Sequence, residues 1–224
     1  MDLEIRVSGS AAEASREAAA LLAASAERGG HVALSGGSTP RPAYEAAARL
    51  APDWSRVEVW WADERCVPPE DERSNYRLVR ESLLDRLDRG AAIEHRVRGE
   101  VPPERAADLY DAELGGVSFD LVVLGIGADG HTASLFPNDP ALEELRRRAL
   151  LVRRADVDRV TLTIPVLNAA QVVVFLVVGG EKAAAAARAF AREPDPATPA
   201  SLVRSGSGKT IALLDRAAAA RLPN

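Results

Sequence analysis

The stretch FDLVVLGIGADGHTASLFP, residues 119–137, joins an apolar run directly to a glycine-rich turn. The run over residues 119–124 is rich in β-branched residues, which predicts a strand buried within a sheet. Gly125, Gly127 and Gly130 follow at once and allow the backbone to turn tightly. A buried strand that leads straight into such a turn is typical of a parallel sheet in an α/β protein.

The same alternation of apolar runs and alanine-rich amphipathic stretches extends along the whole chain. It predicts strands over residues 3–7, 31–34, 57–61, 93–97, 119–124, 150–153, 160–164, 172–178, 202–204 and 211–214. It predicts helices over residues 11–28, 42–50, 74–87, 104–114, 141–148 and 181–192, a polar loop over residues 62–73, and a short helix at the end. We therefore expect an α/β fold, a three-layer sandwich with a mainly parallel, doubly wound central sheet, in a single domain over residues 1–224.

Composition limits the classes of partner. The chain has 224 residues, of which 47% are hydrophobic and 27% charged, and its net charge of −5 argues against nucleic acid as a partner. The single cysteine, Cys66, excludes an intramolecular disulfide framework and fits a reducing compartment. The first 30 residues show no apolar signal-peptide core, and the run over residues 172–178 is too short to span a bilayer. These features predict a cytoplasmic protein without a membrane partner.

The residues that follow each strand are the candidates for chemistry, because ligands of such sheets bind at the carboxyl ends of the strands. The segment Ser35-Gly-Gly-Ser-Thr-Pro40 follows one strand and precedes a helix. Its glycines allow close approach of the backbone, and its hydroxyls and the helix N-terminus can donate to a phosphate. An ordinary strand-to-helix turn explains the motif equally well.

Charged residues follow the next strand, where Asp63-Glu64-Arg65 comes directly after the run over residues 57–61. Arg65, or Arg77 further on, could hold a phosphate, and Asp63 could orient a base or a sugar hydroxyl. The alternatives are a solvated loop with a local Glu64–Arg65 pair and, for Arg77, a position on a helix surface.

Lys182 stands in the first turn of a predicted helix, after Gly179-Gly180-Glu181. A cation there opposes the helix dipole, and a bound anion would remove that conflict. A lysine that bends back into water is the alternative.

The opening stretch itself has two interpretations. Gly125-Ile-Gly127-Ala-Asp-Gly130 matches the dinucleotide fingerprint G-x-G-x-x-G, but Pro137 and Pro140 would cut short the helix that this fingerprint requires. Asp129 and His131 flank Gly130, and an acid beside a histidine in a turn at a strand end suits a positioned general base. We therefore interpret the stretch as part of a catalytic site and not as a dinucleotide site.

Together these segments resemble the glucosamine-6-phosphate isomerase/6-phosphogluconolactonase family, and its lactonase branch in particular. The matching segments run in the family's order over most of the chain: LSGGSTP (residues 34–40), DER (63–65) with SNY (74–76), GIGADGHTASLFP (125–137), TLTIPVLN (161–168) and GGEK (179–182). The segment at residues 125–137 is the most specific of them.

The resemblance implies hydrolysis of 6-phospho-D-glucono-1,5-lactone to 6-phosphogluconate in the oxidative pentose phosphate pathway, without a metal or organic cofactor. His131 would be the general base that activates water, and Asp129 and Asp63 would set the state of the histidine or orient the substrate. The residues implied in substrate and phosphate binding are Gly36, Gly37, Ser38, Thr39, Arg65, Asn75, Arg77 and Lys182. The expected partner is a phosphorylated sugar lactone, bound by a monomer or a weak homo-oligomer.

Three other functions remain open at this point. The isomerase/deaminase branch resembles GHxAFNEP after the histidine, with a glutamate before the proline, whereas Phe136 precedes Pro137 here. A non-catalytic sugar-phosphate-binding domain of the same fold would keep the phosphate turn without His131, Asp129 and Asp63. A nicotinamide-dependent dehydrogenase would bind its cofactor at the G-x-G-x-x-G turn.

Overall fold

Ten strands and six α-helices form in the residues that this computed structural model describes, 2–191 and 193–223. The strands are β1 (Asp2–Ser8), β2 (Gly30–Leu34), β3 (Val57–Trp61), β4 (Asp63–Arg65), β5 (Ile93–His95), β6 (Leu121–Leu124), β7 (Ala149–Val152), β8 (Arg159–Leu162), β9 (Val172–Val177) and β10 (Lys209–Asp215). The helices are α1 (Ala11–Arg28), α2 (Arg41–Leu50), α3 (Asn75–Ser82), α4 (Pro103–Leu114), α5 (Ile164–Asn168) and α6 (Ala183–Ala189).

Seven strands form one sheet in the order β1-β10-β9-β6-β2-β3-β5, and every neighbouring pair in it is parallel. After β2, the next strand of this sheet along the chain is β3, which lies on one side of it. After β6, the next strand of this sheet is β9, which lies on the other side. The neighbours β2 and β6 therefore form the topological switch point of the sheet. Loops that leave their carboxyl ends diverge and open a crevice there.

Hydrophobic side chains fill both faces of this sheet. The adjacent residues Trp60 and Trp61 of β3 are both buried, but they belong to two different clusters, as the alternation of side chains along a strand requires. The Trp61 cluster includes residues of α1, α2 and α3, and the Trp60 cluster includes residues of α4, α5, α6 and a small antiparallel sheet, β4-β8-β7. The predicted three-layer α/β fold with a doubly wound parallel sheet is confirmed.

The predicted polar loop over residues 62–73 is wrong at its start, because β4 lies there and pairs with β8. Asp63 and Glu64 are buried although they are charged, since other parts of the chain donate hydrogen bonds to both carboxylates. A strand stabilised in this way has none of the apolar alternation by which strands are recognised in a sequence.

The predicted helix over residues 141–148 is also wrong: only a 3₁₀ turn, Pro140–Glu143, forms there. Asp111 of α4 accepts hydrogen bonds from the backbone N–H groups of Arg148 and Ala149, at 2.6 and 3.0 Å. The Arg147 side chain binds Asp108 of the same helix. These acids on α4 hold the segment extended, so that it leads into β7.

No strand forms over residues 202–204, where a 3₁₀ turn, Pro199–Leu202, ends instead. The Asn168 side chain donates to the Leu202 carbonyl and accepts from the Arg204 N–H, so it replaces a neighbouring strand as hydrogen-bond partner. The predicted terminal helix is likewise a series of turns after β10.

Several other elements are shorter than predicted. The helix that starts after Ser74 ends at Ser82 and is followed by a 3₁₀ turn, and the strand from Ile93 ends at His95. The strand at residues 159–162 gives way to α5, whose first turn contains Pro165. A 3₁₀ turn, Gly180–Lys182, precedes α6, and the predicted helix end at Arg192 lies outside the described residues.

In residues 2–191 and 193–223, none of the helices combines the length and the apolar character needed to span a bilayer.

Candidate active site

A cleft of about 230 Å³ opens at the carboxyl ends of β2 and β6, at the switch point of the sheet. One wall is the turn after β2, residues 35–40, and another is the turn after β6 with Gly125, Ile126 and Gly127. The other side chains that line it are those of Asp63, Arg65, Asn75, His131, Ala133 and Lys182. Most residues that the sequence singled out are therefore brought together in one crevice.

The wall after β2 presents a row of backbone donors. Within the described part of the chain, the N–H groups of Gly36, Gly37, Ser38 and Thr39 donate to no acceptor. Gly37 has φ = 94°, which glycine adopts without strain, and the turn leads directly into the N-terminus of α2. Consecutive free N–H groups at a helix N-terminus form an anion-binding surface.

Gly36 is required for a different reason, the close approach of a neighbouring side chain. A Cβ atom on Gly36 would lie 1.8 Å from Oδ1 of Asn75. The turn and the start of α3 therefore pack so closely that only glycine fits between them.

Two cations complete this side of the cleft. Neither Arg65 nor Lys182 has a carboxylate partner among residues 2–191 and 193–223, whereas Arg73, Arg77 and Arg96 each have one. The Arg65 guanidinium donates to the Arg73 carbonyl, and its Nε is buried without an acceptor. Ser35 Oγ and Asn75 Oδ1 are also buried without a partner. Leaving buried polar atoms unpaired is costly. Arg65 Nε and Ser35 Oγ can donate to an anion, whereas Asn75 Oδ1 accepts only and suits a ligand hydroxyl.

His131 and Asp129 form a hydrogen-bonded pair on the opposite wall. Nδ1 of His131 lies 2.6 Å from Oδ1 of Asp129, which also accepts the backbone N–H of His131 at 3.1 Å. Partial burial acts to raise the pKa of Asp129, but these hydrogen bonds from His131 outweigh it and hold the pKa below its ordinary value. An ionised Asp129 fixes the tautomer in which Nδ1 carries the proton, so Nε2 is the basic nitrogen.

The turn after β6 fixes the position of this pair. The Gly127 N–H donates to the His131 carbonyl at 2.8 Å, and the Gly130 N–H donates to the Gly127 carbonyl at 2.9 Å. Gly130 has φ = 99°, so the turn depends on a glycine there. The Phe136 ring packs against the imidazole with 4.8 Å between ring centroids. The histidine is thus held at its backbone, at Nδ1 and on one face of its ring.

Asp63 connects the two walls. Its Oδ2 accepts the Ser134 hydroxyl at 2.6 Å, and Asn75 Nδ2 donates to its Oδ1 and to its carbonyl oxygen at 3.2 and 2.8 Å. The Ser134 N–H in turn donates to the hydroxyl of Thr161 on β8. Both carboxylate oxygens already accept hydrogen bonds, which suits Asp63 to orienting its surroundings.

Residues 6–212 match the family model described as glucosamine-6-phosphate isomerases/6-phosphogluconolactonase, which covers most of the chain. The chain belongs to this family. The prediction of family membership from the segments above is confirmed.

Relatives within the family carry the name of its lactonase branch. The 6-phosphogluconolactonase of Synechocystis is 43% identical over 209 residues, which are 88% of this chain and 87% of the relative. The crystal structure of 6-phosphogluconolactonase from Thermotoga maritima matches with a TM-score of 0.80 and 31% identity, over 96% of this chain and 99% of that one. A monomeric glucosamine-6-phosphate deaminase matches with a TM-score of 0.86 at 19% identity, over 99% of this chain and 100% of that one. That last likeness shows the fold alone, so the fold does not separate the two branches of the family.

Arg77 does not reach the cleft. Its Nε donates to Glu81 at 2.7 Å and its Nη1 to the Glu70 carbonyl at 2.8 Å, which directs the guanidinium to the outer surface of α3. We therefore leave Arg77 out of the site, and its position agrees with the alternative of a helix-surface arginine.

Sequence reasoning missed two buried polar residues at the site. Ser134 binds Asp63, and Glu64 accepts four hydrogen bonds between β4 and α3. Burial raises the pKa of Glu64 above its ordinary value, although the N–H groups of Tyr76, Asn75 and Arg65 act to lower it and favour the ionised carboxylate. The one signal in the sequence was the position of three charged residues directly after a buried strand.

Cys66 follows Arg65, but it does not line the cleft, and its side chain packs against the hydrophobic cluster that contains Trp60. Burial, with Asp158 and Glu64 nearby, raises the pKa of the Cys66 thiol to about 11.

We expect Cys66 to react slowly with thiol reagents because little thiolate forms at neutral pH. Labelling with a disulfide reagent at pH 8 should be about 100-fold slower than labelling of an unperturbed cysteine. The same reaction in denaturant, where burial is lost, should proceed at the ordinary rate. Fast labelling of the folded protein would show that the thiol is more accessible than the structure indicates.

Proposed function

We propose that this protein hydrolyses 6-phospho-D-glucono-1,5-lactone to 6-phosphogluconate, a step of the oxidative pentose phosphate pathway. One observation carries the proposal: an oriented histidine and a row of unpaired anion donors line the same cleft. The lactonase names of the relatives support the choice of substrate.

His131 acts as the general base in the proposed mechanism. Its Nε2 accepts a proton from a water molecule, whose oxygen attacks the lactone carbonyl, and Asp129 stabilises the imidazolium that results. The tetrahedral intermediate then collapses, the bond from the carbonyl carbon to the ring oxygen breaks, and the imidazolium returns its proton to that oxygen. A lactone is an activated ester, so a base, a water and hydrogen-bond donors for the oxyanion are sufficient without a metal or organic cofactor.

The turn after β2 binds the phosphate of the substrate in this proposal. The N–H groups of residues 36–39 donate to its oxygens, and Arg65 and Lys182 supply positive charge. Asp63 and Asn75 line the same cleft, and their polar groups are suited to the sugar hydroxyls.

Glucosamine-6-phosphate isomerisation or deamination is the second candidate, because the likeness to the deaminase shows that the fold accommodates that reaction. Phe136 argues against it, since it stands where the deaminase branch places a carboxylate and its ring packs on His131. A domain that binds sugar phosphates without catalysis is the third.

The test is lactone hydrolysis. The substrate is generated in the cuvette from glucose 6-phosphate and its dehydrogenase, and acid release is measured against the spontaneous opening of the lactone. Ammonia release from glucosamine 6-phosphate is measured in parallel. Acceleration of the first reaction without the second supports the proposal. Ammonia release would establish the deaminase, and neither activity would leave a binding domain.

We expect Lys182→Ala to raise KM for the lactone by about 10- to 100-fold with little change in kcat, since hydrogen bonds to charged groups contribute about 1.5–3 kcal/mol. The matched control is Lys209→Ala, because Lys209 starts β10 at the opposite, amino end of the sheet. A fall in kcat at unchanged KM would contradict a role of Lys182 in binding the phosphate of the ground state.

A further inference from the structure

Glu64 is the one residue of the Asp63–Arg65 strand whose side chain does not line the cleft. It is only 2% exposed, and its carboxylate accepts four hydrogen bonds. Oε1 accepts the N–H groups of Arg65 and Asn75, both at 2.7 Å. Oε2 accepts the Tyr76 N–H at 2.7 Å and the Ser74 hydroxyl at 3.0 Å. We call this arrangement the Glu64 clamp.

The Glu64 clamp provides hydrogen-bond acceptors for backbone N–H groups at the N-terminus of α3. The first N–H groups of a helix have no acceptor within the helix itself. Ser74 accepts the N–H of Arg77, as an ordinary N-cap, and leaves those of Asn75 and Tyr76 to Glu64. A carboxylate has about four acceptor sites and no donor, so it can accept all four bonds, and its charge is favourable at this end of the helix.

The clamp also fixes three residues that line the cleft. Asp63 and Arg65 are the chain neighbours of Glu64, and the N–H of Asn75 is bound to it directly. Asn75 in turn donates from its side chain to Asp63. Loosening Glu64 would therefore free Arg65, Asn75 and Asp63 together. His131 and Asp129 lie on a separate segment, the turn after β6, and the hydrogen bonds that hold this pair do not involve Glu64.

We infer that Glu64 is a positioning residue of this enzyme, which ties β4 to the N-terminus of α3 and thereby holds Arg65 and Asn75 in place for the substrate. The inference rests on the proposed lactonase function. Capping α3 does not account for the whole arrangement, because Glu64 also accepts the Arg65 N–H, which lies outside the helix. Its position costs the protein the burial of a carboxylate, which suits a group kept for the arrangement of a site.

The first test is Glu64→Gln, which keeps the size of the side chain but places an NH₂ group where one oxygen accepted N–H groups. We expect KM for the lactone to rise about 10-fold or more, because a hydrogen bond to a charged acceptor is lost, with kcat changing by less than about three-fold. Binding of the product 6-phosphogluconate, measured by calorimetry, should weaken by a similar factor. Amide hydrogen exchange at Asn75 and Tyr76 should become about 10-fold faster.

The matched control is Glu81→Gln, on the same helix. Glu81 is exposed and binds the side chains of Arg77 and Arg41, so it is remote from the N-terminal N–H groups of α3. This variant should change neither KM nor exchange at Asn75 and Tyr76. Glu64→Asp keeps the charge but shortens the side chain. Its KM and its exchange rates at Asn75 and Tyr76 should lie between those of Glu64→Gln and the wild type.

The outcomes separate the inference from the function on which it rests. A lower melting temperature for Glu64→Gln with unchanged KM and product binding would show a purely structural role and overturn the inference. If the wild type does not hydrolyse the lactone, the proposed function fails and the positioning role fails with it, while amide exchange still decides whether the clamp exists. If Glu64→Gln does not fold, Ser74→Ala, which removes one donor and keeps the carboxylate, should raise KM by a smaller factor. An unchanged KM in that variant would count against the inference.

Discussion

His131→Ala is expected to lower kcat for lactone hydrolysis by about 10²–10⁴-fold, the usual contribution of a positioned general base. Only the imidazole can take the proton from water in the proposed mechanism. The side chain is 34% exposed and its ring contacts Phe136 and Asp129, so the fold should tolerate its loss. Steady-state kinetics, with circular dichroism to verify folding, measure the effect.

His31→Ala is the matched control for this variant. The His31 side chain is exposed to a similar extent, 31%, but it belongs to β2 at the amino end of the sheet, away from the cleft. It should retain the wild-type kcat. Near wild-type turnover in His131→Ala would remove this histidine from the mechanism, whatever the control shows.

Gly127→Ala is expected to lower kcat by about 100-fold, since a misplacement of about 1 Å in a catalytic group can cost that much. The added Cβ would lie 2.1 Å from Nδ1 of His131 and 2.6 Å from Oδ1 of Asp129. No real contact is so short, so the imidazole and the carboxylate must shift away from the added methyl group, which displaces the pair from its observed position. The measurement is kcat at saturating lactone.

Gly116→Ala serves as the control, because a Cβ at Gly116 would meet no atom within 4 Å. It should leave kcat unchanged. Wild-type kcat in Gly127→Ala would mean that the pair adapts to the extra methyl group, and that its observed geometry is not required for turnover.

Much of the fold could be predicted from the sequence, because the buried strands carry an apolar signal. β3, with Val57, Val59 and the two tryptophans, is an example, and its observed bounds match the predicted ones. The errors lie where polar side chains take the place of that signal. β4 is buried by hydrogen bonds to Asp63 and Glu64, and the extended segment before β7 is held by acids on α4.

The candidate site was predictable to the extent that its residues follow strands directly. The residues of the turn after β2 are consecutive in the sequence, and Asp129 and His131 are separated by a single residue. Each of these two groups therefore depends on local geometry. Arg77 and Glu64 show the limit of this reasoning. Both are charged residues near the site, but Arg77 binds Glu81 at the surface whereas Glu64 is buried against α3. The direction of each side chain depends on hydrogen-bond partners several positions away in the sequence. The spacing of the charged residues alone does not identify those partners.

The order of the strands also has a consequence for biosynthesis. β1 lies at one edge of the large sheet and pairs with β10 in parallel register, from Asp2 beside Lys209 to Ser8 beside Asp215. On the ribosome, β1 emerges long before its partner. The hydrogen bonds that join it to the sheet can form only after residues 209–215 have left the exit tunnel. The nascent chain therefore carries an unpaired β1 until β10 has emerged, and closing this longest-range contact of the sheet is a late event in folding.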